Sequence, residues 1–213
     1  MIARRCSDAS RPHPRPLSGH RPKVGRRARG VFLAFAALAI LTPLGHAAEK
    51  DRAGQGSVVA GAPEGWTTHA PRDEIRPHFA FQPKGGRDGQ GGWVIEADAR
   101  DGLHGRWQKT FAVEGGQAYR FSIVRRARDV DVPRRSIVAR IHWRDAQGRH
   151  VRHDEPSTAT FQPGKQPQAE AEYPADGATD AQGWTELSGV YQVPSKATQA
   201  IVELHLLWSP KGR

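Results

Sequence analysis

The chain has 213 residues, a single cysteine and a formal net charge of +10. The excess charge lies in residues 1–30, where eight arginines and one lysine face a single acid, so the rest of the chain carries only +2. Charge that is confined to one end does not make a basic face on a folded domain, and we expect no nucleic-acid partner. Cys6 lies in the same basic segment, so the remaining chain has no thiol for a disulfide, a nucleophile or a thiolate metal site.

The first 47 residues have the pattern of a leader and signal peptide. Residues 31–44 (VFLAFAALAILTPL) are uncharged, follow a cluster of arginines and precede small residues at the cleavage positions. We expect cleavage near Ala47 and a secreted or periplasmic product. A bilayer needs about 20 apolar residues, so the mature chain is predicted to lack a transmembrane segment, with a retained anchor as the alternative. Residues 48–65, rich in Gly and Ala and without periodicity, are predicted to be a flexible linker.

Residues 66–213 show the period-two alternation of β-strands and no helical period. Two short edge strands are predicted near Ile75 and at 79–81, followed by a strand at 93–97. Strands at 105–113 and 118–128 are predicted to form a hairpin across a Gly-Gly turn, and strands at 136–145 and 149–153 to form a second hairpin. The last two strands are predicted at 184–193 and 199–208. This is an all-β domain, a two-sheet antiparallel β-sandwich or jelly roll of about 7–8 strands.

Alternation also predicts which side chains face the core. Trp107, Trp143 and Trp184 are expected to pack inside. The apolar faces of two strands are predicted to contain Ile137, Ala139, Ile141 and Trp143, and Val202, Leu204, Leu206 and Trp208. Residues 154–182 break the pattern with several prolines and are predicted to be a long loop, either disordered or ordered in part around Phe161 and Tyr173.

One outward row of polar side chains is the candidate ligand site. If the strands at 136–145 and 199–208 share a sheet, their outer faces bring together Arg140, His142, Glu203 and His205, with Trp208 at the end. Such a row can bond glycan hydroxyls, and an aromatic plane can pack on a sugar ring. The alternative is a solvated sheet face with no ligand.

Metal and catalytic patterns are weak. His153 and Asp154 lie in a cluster without an established ligand spacing, and Asp88 lies in a glycine-rich turn that either stands alone or holds a structural calcium through Asp88 and backbone carbonyls. No serine lies in a GxSxG or SxxK motif, and no acid pair is fixed by spacing. We therefore expect no catalytic constellation, no metal and no cofactor apart from that calcium.

Several runs resemble a known family: DGLHGRWQKTFAV, PRRSIVARIHWRDAQG and GWTELSGVYQVPSKATQAIVELHL. They resemble galactose-binding-domain-like jelly rolls, which include many carbohydrate-binding modules. They are also similar to the amino-terminal module of secreted bacterial proteins in which such a sandwich precedes a carbon-nitrogen hydrolase (nitrilase-like) domain.

The resemblance implies a non-catalytic, carbohydrate-binding-like accessory module that binds a polysaccharide or another glycan. It also implies a chain truncated before the hydrolase domain and missing the closing strand, which would leave an unpaired edge that favours self-association. The alternative function is a protein–protein interaction or adhesion domain that uses an open sheet edge or the long loop.

Overall fold

The structure, a computed structural model, describes residues 4–5, 56–158 and 163–209. The predicted leader and signal peptide, apart from Arg4–Arg5, and residues 48–55 of the predicted linker lie outside the described residues. Phe161, one predicted anchor of the long loop, lies outside them as well. In the part of the chain that the structure describes, no helix is long and apolar enough to cross a membrane.

The strands form two four-stranded sheets and a separate hairpin, and every ladder is antiparallel. Sheet I has the order β1 (Arg4–Arg5), β6 (Ala118–Arg126), β9 (Trp184–Gln192) and β8 (Ala175–Thr179). Sheet II has the order β2 (Thr67–His69), β5 (Leu103–Ala112), β10 (Gln199–Ser209) and β7 (Ile137–Arg144). The hairpin consists of β3 (His78–Gln82) and β4 (Gly92–Glu96). Two short helices, a 3₁₀ turn at Asp73–Ile75 and α1 at Pro133–Ser136, complete the described elements. The predicted all-β sandwich is confirmed.

One core lies between the sheets, and Trp107 of β5 is at its centre. Trp107 is fully buried, and its indole Nε1 donates a hydrogen bond to the Val94 carbonyl of β4 at 3.0 Å, which satisfies the one polar atom of the ring. Phe79 of β3 meets the same ring edge to face at 5.8 Å. The β3–β4 hairpin is therefore fixed to sheet II by side-chain packing, with no strand ladder to it among the described residues.

The predicted hairpin between β5 and β6 is wrong, because the two strands lie in different sheets. The connection bends away from β5 at Val113, whose N–H donates to the Thr198 carbonyl, and then joins β9 through a bond from Gly116 N–H to the Val193 carbonyl. Gly115 allows this crossing, since a Cβ there would lie 2.1 Å from the Ser195 carbonyl oxygen. The Gly-Gly pair turns the chain from sheet II to sheet I.

The second predicted hairpin is also not formed as a pair of strands. Arg144 and His150 make a single bridge across a turn, after which Val151 enters the core and its carbonyl accepts from Ala169 N–H at 2.9 Å. The predicted loop at 154–182 contains β8 and a two-way backbone bridge between Glu172 and Ile141. Order in its described part comes from this backbone pairing.

Two predicted packing residues lie outside the buried core, Tyr173 on the surface and Trp184 half-buried. Tyr173 is 60% exposed, so it does not anchor the loop. The alternation of side chains along β9 places Trp184 on the outer face of sheet I. Its ring lies under the Arg126 guanidinium, whose carbon is 4.6 Å from the ring centroid. Trp107 and Trp143 are buried as predicted.

Candidate ligand-binding site

The predicted polar row lies on the outer face of sheet II. β7 and β10 are neighbours, and their register places Glu203 directly opposite Arg140 and Ile201 opposite His142. On its other side β10 pairs with β5, which brings Gln108 opposite Glu203 and Arg106 opposite His205. We call this surface the polar face, defined by six residues on three adjacent strands: Arg106, Gln108, Arg140, His142, Glu203 and His205.

Glu203 is the centre of the polar face and is only 4% exposed. Its Oε1 lies 2.9 Å from Arg106 Nε. Its Oε2 accepts from Arg140 Nε and lies 3.0 Å from His205 Nε2 and 3.2 Å from His142 Nε2. Both oxygens of one carboxylate are therefore engaged by side chains from all three strands, which fixes the relative positions of the two guanidinium groups.

Burial and hydrogen bonding act in opposite directions on Glu203. Burial raises the pKa of the carboxyl, but bonds from His142, His205 and Arg140, together with the Arg106 charge, outweigh it and hold this pKa far below its ordinary range. Glu203 is thus an anion at every physiological pH. The polar face still contains more positive than negative charge, because two guanidinium groups meet this single acid.

His205 is neutral at physiological pH. Burial lowers its pKa to about 4, although its bond to Glu203 acts to raise it. An ionised carboxylate only accepts, so the neutral ring must carry its proton on Nε2 and present a lone pair on Nδ1. That Nδ1 is buried and has no hydrogen-bond partner among the residues that the structure describes. The same holds for Nδ1 of His104, whose ring centroid is 6.0 Å away. The two rings form the less charged end of the polar face.

Trp208 continues this end of the face as an exposed aromatic. It is 64% exposed, and its ring meets that of His104 edge to face at a centroid distance of 5.1 Å. The prediction that Trp208 joins the core with Val202, Leu204 and Leu206 is wrong. The register of β10 shifts between Leu207 and Ser209, and Trp208 has a φ of 52°, so the period-two alternation ends one residue early.

Sequence reasoning missed Arg106, Gln108 and His104. Their alternation with Trp107 was visible, but β5 was predicted to pair with β6 and not with β10, which put these side chains on another surface. A signal was available in the composition of the strands. β5, β7 and β10 each place charged or imidazole side chains between buried apolar ones, and that shared pattern is typical of adjacent strands in one sheet.

The weak metal candidates have local roles instead. Asp88 Oδ1 accepts from Gln90 N–H at 3.2 Å within the glycine-rich turn. Asp154 accepts from the Ser195 hydroxyl at 2.6 Å and from its backbone N–H, and these bonds lower the pKa of Asp154. His153 is exposed. Across residues 56–158 and 163–209, no group of three or more His, Cys, Asp or Glu is arranged to hold a metal ion.

The fold and the polar face define the class as an antiparallel β-sandwich with a polar site on one sheet. No protein-family model matches the chain, and no curated protein matches it. Among solved structures, the chain is similar to the enzymatically active domain of tailspike protein 4 of bacteriophage CBA120, with 14% identity over 70% of this chain and 18% of that one and a TM-score of 0.43.

It is also similar to the N-terminal endo-1,4-beta-D-xylanase 10B of Clostridium thermocellum, in its CBM22-1–GH10 modules complexed with xylohexaose. There the identity is 15%, over 70% of this chain and 24% of that one, with a TM-score of 0.42. The chain spans 18% and 24% of the lengths of these two proteins. The function proposed below rests on the geometry of the polar face.

Proposed function

We propose that the chain is a non-catalytic polysaccharide-binding module and that the polar face is its binding surface. One observation carries the proposal: a buried Glu203 holds two guanidinium groups in fixed positions beside a row of imidazoles that ends in the exposed ring of Trp208. Sugar binding needs fixed polar groups for hydroxyls and an aromatic plane for the C–H face of a ring. A single sheet face that offers both suits an extended chain of sugars.

The arginines retain hydrogen-bonding capacity for a ligand. Each engages Glu203 through Nε, and Arg106 Nε also lies 3.1 Å from Gln108 Oε1. Among the described residues, neither guanidinium donates from its two Nη atoms to a protein acceptor. The Arg106 and Arg140 side chains are 24% and 31% exposed, so those atoms are within reach of solvent and ligand.

The charge of the surface favours sugars that carry acidic groups. Arg144 lies on the same side of β7 as Arg140 and His142, and its buried Nη1 has no partner within the described segments. Three guanidinium groups therefore accompany one carboxylate. A planar guanidinium binds a carboxylate or sulfate with two parallel bonds, so a uronate or a sulfated sugar fits this surface better than a neutral one.

Secretion and a link to a carbon-nitrogen hydrolase complete the proposal. The leader pattern over residues 1–47 supports export, and the quoted sequence runs support an accessory role beside such a hydrolase domain. Export is tested by the amino-terminal sequence of the mature protein, which we expect to begin at or next to Ala48. A mature chain that starts at Met1 contradicts it.

Affinity electrophoresis tests the binding proposal. We expect the chain to be retarded by gels that contain polygalacturonate and less by the same polymer after its carboxyl groups are reduced. Arg140→Gln and Trp208→Ala should each reduce the retardation, and Arg135→Gln on the exposed surface of α1 is the matched control that should not. Circular dichroism checks that every variant is folded.

The possible results separate the parts of the proposal. Equal retardation by the native and reduced polymers contradicts the preference for acidic sugars and leaves glycan binding supported. Retardation that Arg140→Gln and Trp208→Ala leave unchanged contradicts the polar face as the site. Failure to bind a panel of neutral, uronate and sulfated polysaccharides contradicts glycan binding itself.

A further inference from the structure

A second site lies on the core side of sheet II, opposite the polar face, and of the polar-face residues only His205 also lines it. A cleft of about 650 Å³ separates the β3–β4 hairpin from sheet I. Its floor is the core face of sheet II, where Leu204 is partly exposed and Trp107 and Ala139 lie buried beside it. Its sides are formed by β4 and by β6, for which Trp93 and Ile123 are representative. We call this cleft the slot.

Of the two strands that flank the slot, β4 has one edge without a ladder partner among the described residues, and β6 has one edge that is paired over two residues there. Within residues 4–5, 56–158 and 163–209, β4 pairs only with β3, and β6 pairs with β9 on one side. On its other side β6 meets only Arg4–Arg5, opposite Arg120 and Tyr119, so within the described residues its edge is unpaired over 121–126. A row of free backbone N–H and C=O groups is a template for another strand. This short pairing with Arg4–Arg5 is antiparallel.

Two buried donors in the slot have no acceptor in the part of the chain that the structure describes. They are Nε1 of Trp93 and Nε of Arg125, and both side chains line the slot. The other nitrogens of Arg125 are engaged, with Nη1 donating to the Ile137 carbonyl at 2.7 Å and Nη2 paired with Asp176. An unsatisfied buried donor costs about 1–3 kcal/mol, and a peptide carbonyl in the slot would supply the missing acceptor.

The residues around the slot carry an excess of positive charge. Five basic side chains line it against one acid, Asp88, and the five are Lys84, Arg87, Arg125, Arg126 and Arg128. Asp176 and Asp180 neutralise two of them through ion pairs with Arg125 and Arg87. Lys84, Arg126 and Arg128 have no acidic partner among the described residues. We call the basic side chains around the slot its rim. An occupant with acidic side chains therefore matches the charge of the rim.

We propose that the slot accepts an extended acidic peptide as an added β-strand. The peptide pairs with the free edge of β6 in antiparallel orientation and turns every second side chain toward the apolar floor. Its alternate side chains are acidic and face the rim. The two free edges select extended backbone, the floor selects apolar residues at period two, and the rim selects carboxylates. This interaction adds a protein-binding activity to the module and does not depend on glycan binding.

Hydrogen exchange on the full chain tests the proposal with a blocked heptapeptide that alternates valine and glutamate. We expect every second amide within 121–126 to exchange at least about tenfold more slowly when the peptide is bound, because those N–H groups gain carbonyl partners. The amides that already bond β9 should change little. A peptide with proline at the central position should give no protection, since it breaks the added ladder.

Charge is tested on both partners. Lysine in place of glutamate in the peptide should abolish the protection. Arg128→Glu should weaken binding about tenfold, whereas Arg135→Glu, an exposed arginine away from the slot, should not.

Three results would overturn the proposal: no protection at millimolar peptide, equal protection by the proline peptide, or protection that maps to β10. A dimer that protects the same amides without peptide would also overturn it, because the occupant would then be a second copy of the chain.

Discussion

Acidification is expected to destabilise the fold through His205. The folded pKa of His205 is lowered to about 4 by burial, whereas the imidazole of an unfolded chain titrates near 6.5. Between these values the unfolded state binds more protons than the folded state, so stability is complete above pH 6.5 and falls as the pH drops toward 4. The full difference of about 2.5 pK units corresponds to about 3 kcal/mol. About 2 kcal/mol of it is lost between pH 7 and pH 5.

The interval from pH 7 to pH 5 isolates the imidazole from the carboxylate beside it. The pKa of Glu203 lies far below this interval in the folded state, and unfolded carboxyls begin to titrate only at its lower end. The other charges that face His205 are the guanidinium groups of Arg106 and Arg140. His104 contacts the same ring, and its pKa is also lowered, first by burial and then by the Arg106 charge. The contribution of His104 to the loss of stability on acidification has the same sign as that of His205 and must be subtracted.

His205→Gln provides that subtraction. The Gln amide can still donate to Glu203 but does not titrate. Urea unfolding followed by tryptophan fluorescence should show that the wild type loses about 2 kcal/mol more than the variant between pH 7 and pH 5. Parallel pH profiles would refute the reasoning. If the variant is too unstable for the comparison, an NMR titration of His205 in the wild-type protein tests the same reasoning. A measured pKa near 6.5 for His205 would refute it.

Three further outcomes follow from the packing. Trp107→Phe should lower the free energy of unfolding by roughly 2 kcal/mol, through lost volume and a lost hydrogen bond, and a loss near zero in urea titration would contradict its central position. Gly115→Ala should cost about 1–3 kcal/mol, since the new methyl meets a backbone oxygen; wild-type stability would show that the crossing can shift. Glu203→Met should cost about 3–5 kcal/mol, and adding Arg106→Met and Arg140→Met should restore most of it; a triple variant no more stable than the single one would argue against an ion-pair origin of the cost.

The sequence was sufficient to predict the faces of single strands but not the partners of those strands. Alternation depends only on the pleat, so Ala139, Ile141 and Trp143 could be assigned to the core from their own segment. The pairing of β5 could not be inferred in this way. The turn after β5 is shaped by Val193 and Ser195, about 80 residues further along the chain, and a Gly-Gly pair is compatible with either a hairpin or a crossing between sheets.

The same contrast between strand faces and strand pairing explains which residues of the candidate site could be predicted. Arg140, His142, Glu203 and His205 lie on two strands whose outer faces were each readable, and the one assumption needed was that these strands share a sheet. Arg106 was missed because its place depends on the pairing of β5. The burial of Glu203 could not be predicted either, since an outward-facing acid on a strand is ordinarily solvated and only the convergence of neighbouring strands covers it.

The stability cost of the polar face is itself an argument about function. A carboxylate that is 4% exposed needs several charged or polar partners merely to offset its desolvation, and apolar side chains at the same positions would hold the sheet at least as well. On β10 the residues on either side of Glu203 and His205 are apolar, so the strand has no difficulty in packing hydrophobic groups. Fixing two guanidinium groups with one buried acid gains little for folding. It does hold their free Nη atoms in place before a ligand arrives, which reduces the entropy lost on binding.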